Sequence, residues 1–83
     1  MENMTPTDVT FDIMAAAATI GRNVRALRLD AKLSIEALAT MSGLEVTNIQ
    51  TIECAEKRFI DLDEMNIICS TLGCKMSEII DGV

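Results

Sequence analysis

From Ile13 onward the apolar residues Ile13, Ala17, Ile20, Val24, Leu27 and Ala31 recur at alternating steps of four and three. With about 3.6 residues per turn, that spacing draws one apolar stripe down one side of an α-helix and excludes the every-second-residue pattern of a strand. The stripe crosses Gly21 without changing phase. Glycine in a helix interior costs about 1 kcal/mol relative to alanine, so the segment reads either as one helix over residues 6–31 or as two helices joined near Thr19–Arg22. Thr5-Pro6-Thr7-Asp8 supplies a start: a hydroxyl cap, a proline suited to the first helical position and an acid three residues past the cap.

Short helices follow. Ser34 is a good cap for a helix carrying Ile35, Leu38, Ala39 and Met41, and Gly43 can take the left-handed conformation that ends it. A second short helix over 46–53 places Val46, Ile49 and Ile52 on one face, with Glu45 at its cap. Residues 54–60 lack periodicity and read as a loop. Asp61 then caps a helix carrying Leu62, Met65, Ile68, Cys69 and Leu72, which stops at Gly73, and a last turn covers Ser77 to Ile80. The chain is therefore expected to be all-α, without internal repeats. Its 83 residues suit one small domain rather than two cores. Apolar residues are 49% but aromatics only 2%, so the core must come from Ile, Leu, Ala and Met, with most of the six methionines as filler.

Several function classes drop out. The longest unbroken apolar run, Ile13 to Ala18, is far short of the roughly 20 residues a membrane helix needs, and no basic-then-apolar signal opens the chain, so a soluble cytoplasmic protein is expected. Three cysteines without histidine point to reduced thiols rather than a mixed zinc site, with Cys69 and Cys74 packed and Cys54 at the surface. No metal or cofactor is expected. Nor is an enzyme: there is no nucleophile elbow and no phosphate-binding glycine loop, and the acids Glu53, Glu56, Asp61, Asp63 and Glu64 sit where caps and helix ends explain them. A net charge of −6 argues against a nonspecific grip on nucleic acid or anionic lipid, yet positive charge gathers in Arg22, Arg25, Arg28 and Lys32 and again at Lys57 and Arg58.

Taken together, Ile20-Gly21-Arg22-Asn23-Val24-Arg25-Ala26-Leu27-Arg28, Leu33-Ser34-Ile35-Glu36-Ala37-Leu38-Ala39, Ser42-Gly43-Leu44, Ile49, Ile52-Glu53 and Leu72-Gly73-Cys74 resemble the Cro/repressor (XRE) helix-turn-helix family over residues 20–80. The resemblance implies a five-helix, lambda-repressor-like fold over residues 20–83, with residues 1–19 as an added N-terminal helical extension. It also implies a homodimeric regulator, a repressor in many relatives and often carried on mobile elements, that binds operator DNA. The base-reading positions would be Val46, Thr47 and Thr51, with Asn48 and Gln50 nearby. Arg22, Arg25, Lys57 and Arg58 would hold phosphates, and Arg28 would pair structurally with Glu53. Ile35, Glu45, Cys54 and Glu56 would also face the backbone.

Glu45 and Glu56 oppose that role, since a carboxylate near a phosphate costs roughly 1 kcal/mol at surface dielectric. The reading helix also lacks Arg and Lys, the residues that most often recognise guanine. These features keep a second reading open: a module of the same fold that docks on another regulator as an antirepressor or inhibitor, through its acidic face. Ile13, Ala17 and Ile20 are expected to complete a dimer interface, the alternative being that they cover the chain's own core.

Overall fold

Asp12 starts the first helix, α1 (Ile13–Asp30), by accepting hydrogen bonds from the backbone N–H groups of Met14 at 3.0 Å and Ala15 at 3.2 Å. The computed structural model describes residues 12–56 and 60–83. The Thr5–Asp8 start expected from sequence lies outside these residues. An unbroken helix over 6–31 is ruled out, because Asp12 has extended backbone angles (φ −88°, ψ 99°) and α1 begins only after it. Of the two alternatives at Gly21, continuity holds: α1 passes through it as one helix.

Gly21 is a contact, not a hinge. A Cβ built on it would run into the carbonyl oxygen of Ile52 and lie 3.0 Å from that of Glu53. Glycine therefore lets α1 meet the third helix backbone to backbone, which offsets its poor helix propensity. At the far end of α1, Lys32 takes a left-handed conformation (φ 61°) and Leu33 N–H bonds to the Arg28 carbonyl at 3.1 Å, turning the chain toward α2.

The next elements follow their local signals. In α2 (Ile35–Ser42) the Ser34 hydroxyl accepts from Ala37 N–H, and Gly43 closes the helix at φ 79°. α3 (Val46–Glu53) starts at Glu45, which occupies the cap position without a side-chain cap bond. Asp61 caps α4 (Leu62–Leu72) through Asp63 and Glu64 N–H, and Gly73 ends it at φ 70°. α5 is the single turn Met76–Ile79, one residue earlier than expected, with Glu78 accepting from Lys75 N–H at 2.9 Å. Asn23 on α1 donates to the carbonyls of Ile79 at 2.7 Å and Asp81 at 2.8 Å, tying the end of the chain to the first helix.

The main core joins Ile20 and Val24 of α1, Ile52 of α3, Met65, Ile68 and Cys69 of α4 and Ile79 of α5. A second cluster, Leu38, Ala39 and Ile49, packs α2 on α3, and Leu44 and Leu72 touch both. Each large side chain buried here contributes roughly 1.5–3 kcal/mol. Ile20 (4% exposed) and Ala17 (5%) are spent inside one chain, so the dimer contact expected from them is corrected to a core contact; Ile13 is half-buried. The methionines divide. Met65 is buried and Met76 half-buried as filler, whereas Met14 and Met41 are exposed, and Met1 and Met4 lie outside the described residues. The thiols follow expectation, Cys54 exposed, Cys69 buried and Cys74 between.

Two outcomes test this packing. Gly21→Ala should cost about 2 kcal/mol, because the overpacking is against rigid backbone and exceeds the helix propensity regained. Differential scanning calorimetry should show Tm lowered by about 10 °C; an unchanged Tm would place α1 and α3 farther apart. Burial first, then the neighbouring Cys69 thiol and the charge of Glu78, push Cys74 from its ordinary 9.0 up to about 11. Between those values the unfolded chain binds fewer protons than the folded one, so stability should fall as pH rises through that window. Urea titrations of Cys74→Ala should lose that added slope.

Candidate nucleic-acid interface

The helix pair α2 and α3, with its turn at Gly43, presents α3 as an outer element. Its inner face is fixed by Ile49 (0% exposed) and Ile52 (3%). Opposite them the helical period turns Thr47, Thr51 and Cys54 outward, with Gln50 on one flank and Asn48 on the other. Thr47, Gln50 and Cys54 are exposed, and Thr51 is half-buried. The Thr51 hydroxyl donates to the Thr47 carbonyl at 2.7 Å, so its proton is engaged within the helix.

The expected reading residues are not equivalent. Val46 is half-buried and packs on the Leu38–Ile49 cluster. Asn48 donates through Nδ2 to Glu64 Oε2 at 2.7 Å, which ties α3 to the first turn of α4. Ile35 likewise packs on the second cluster, while Glu45 and Glu56 are exposed.

Of the four expected phosphate contacts, Arg22 and Arg25 are exposed on α1, and Lys57 and Arg58 lie outside the described residues. Arg28, on the same basic stripe in sequence, turns inward. It is 6% exposed and bonds Glu53 in a bidentate pair, Nε to Oε2 at 2.6 Å and Nη2 to Oε1 at 2.9 Å, while Nη1 donates to the Leu33 carbonyl at 2.8 Å. The Glu53 hydrogen bond raises the guanidinium pKa; desolvation opposes it, and the charges of Glu53 and Glu36 reinforce it.

Four positioning residues carry no periodic signal. Gly21, Asn23 and the Asn48–Glu64 bond set where α3 and α5 sit, yet only Gly21 has a trace in the sequence: an apolar stripe that continues across a glycine points to close backbone approach. Among the described residues no group of three or more His, Cys, Asp or Glu could hold a metal, and no helix is long and apolar enough to cross a membrane.

A capped short helix, a left-handed glycine turn and a buried-inside, polar-outside second helix define a helix-turn-helix unit. Residues 23–83 match the Cro/C1-type HTH DNA-binding domain, and the chain belongs to that family of XRE-type transcription regulation proteins. Its fold is similar to that of the restriction-modification controller protein C.AhdI from Aeromonas hydrophila, with 28% identity and a TM-score of 0.73 over 78% of this chain and 97% of that one. It is also similar in fold to the hypothetical transcription factor NHTF from Neisseria, with 24% identity and a TM-score of 0.74 over 84% of this chain and 79% of that one. No curated protein matches the chain.

Arg28→Met and Glu53→Gln should each lower stability by about 3 kcal/mol, since removing one partner strands the other in a desolvated site. Urea midpoints of both variants measure this. Unchanged midpoints would mean that the pair is solvated and does not hold α1 to α3.

Proposed function

We propose that this chain is a transcriptional regulator that binds operator DNA as a homodimer, with α3 in the major groove and α2 across the backbone. The observation that carries this reading is the outward face of α3: Thr47 and Gln50 are exposed while Ile49 and Ile52 anchor the opposite side. In this docking mode the second helix of the pair reads base edges and side chains around it hold phosphates. Arg22 and Arg25, with Lys57 and Arg58, supply the positive charge. The likeness to a restriction-modification controller protein over nearly its whole length supports a regulatory role. Two copies would read two half-sites about one helical turn apart. Because Ala17 and Ile20 lie in one chain's core, pairing draws on other surface.

A specific observation favours a second reading, that of an interaction module for another regulator. Glu36, Glu45 and Glu56 are all exposed around the paired helices, and neither α2 nor α3 contains Lys or Arg. Complementary charge on a partner protein would fit that face.

The double variant Glu45→Ser with Glu56→Lys separates the two. Under the operator reading it should tighten binding to the protein's own upstream DNA by roughly thirtyfold, as two repulsions of roughly 1 kcal/mol are removed. The salt dependence should also steepen, by about 0.9 in the log–log slope for each additional phosphate neutralised. Mobility shifts at low and physiological salt measure both. No shift for either protein, even at low salt, would overturn the operator reading.

A further inference from the structure

The hydrogen bonds already made by α3 restrict what its outward face can offer a base pair. Glu64 is a carboxylate and can only accept, so the Asn48 amide must turn its NH2 group toward it. One of its two N–H donors is used inside the chain, and the amide's orientation is fixed by it. The Thr51 proton is used as well, on the Thr47 carbonyl. What α3 presents is then the Thr47 hydroxyl, the Thr51 hydroxyl oxygen, the methyl groups of both, and one complete amide, that of the exposed Gln50.

Guanine shows the major groove two acceptors, O6 and N7, which a guanidinium or ammonium satisfies best, and α2 and α3 have neither. Adenine shows an acceptor at N7 beside a donor at N6, which matches the NH2 and C=O of one primary amide. Thymine adds a methyl group that a threonine methyl can contact.

We propose that the base pairs read by α3 are A·T pairs: Gln50 bonds adenine N6 and N7, Thr47 and Thr51 meet thymine methyl groups, and Asn48 positions α3 without reading. This rests on the operator reading above and names the DNA that reading would select. Because the discriminating groups are neutral, they release no counterions. Discrimination between sites should therefore stay constant while overall affinity falls with salt.

The test uses the full chain. Duplexes are enriched from a randomised library, and the selected site and its single-pair variants are titrated by fluorescence anisotropy at low and at physiological salt. A·T pairs should be enriched at the contacted positions, and changing the pair under Gln50 to G·C should weaken binding about tenfold, by the same factor at both salt concentrations. Gln50 is exposed, so its variants should keep the native circular dichroism spectrum. Q50A should erase the preference at that one pair and Q50R should invert it to G·C, a change that a merely structural residue would not produce. Enrichment of G·C, a preference that vanishes with added salt, or Q50A and Q50R proteins with the original preference would overturn the proposal and leave the operator reading standing. Failure to bind any duplex at low salt would overturn both.

Discussion

Arg28 and Glu53 join α1 to the last residue of α3 through two short charge-assisted bonds, and Nη1 of the same guanidinium holds the Leu33 carbonyl in the turn before α2. α3 has eight residues, fewer than a helix needs to persist alone in water. A carboxylate at its C-terminal end is also unfavourable against the helix dipole until a cation meets it. Arg28 reverses that sign. A single side chain thereby fixes three pieces of chain: the body of α1, the turn into α2 and the end of the exposed helix.

Gly21 makes this reach possible. With no Cβ, α1 lies directly against the carbonyls of Ile52 and Glu53, and a guanidinium two turns further along α1 meets the Glu53 carboxylate. The other flank of α3 is held by Asn48 on Glu64, its inner side by Ile49 and Ile52. The outward residues consequently stand on a rigid base, and rigidity matters for base contacts because a hydrogen bond to a base edge tolerates little misplacement.

What the sequence discloses divides along the range of the forces involved. Ser34, Gly43, Asp61 and Gly73 mark helix ends by chemistry confined to a few neighbouring residues, and α2 and α4 begin and end where those residues stand. The family resemblance carried the Arg28–Glu53 pair, which no periodicity would reveal. The fate of Ala17 and Ile20 was not legible, because an apolar stripe looks the same whether a second copy or the chain's own α3 and α4 cover it. Asn23 and Asn48 were equally silent as positioning residues, since their partners, the Ile79 and Asp81 carbonyls and Glu64, become neighbours only once the helices pack. Met14 and Met41 escaped for a related reason: composition favours methionine as filler but does not say which side of a helix finds the core.

The arrangement also separates grip from reading. Exposed positive charge sits on α1 at Arg22 and Arg25, while α3 is neutral on its outer face except for Glu45 at its start. Phosphate contacts hold every sequence alike, whereas base-edge contacts distinguish one sequence from another. A chain with net charge −6 draws little from the first kind at physiological salt. Under the proposed function, exposed carboxylates lower affinity for all DNA alike, so that binding persists only at sites where base contacts add enough to make up the difference.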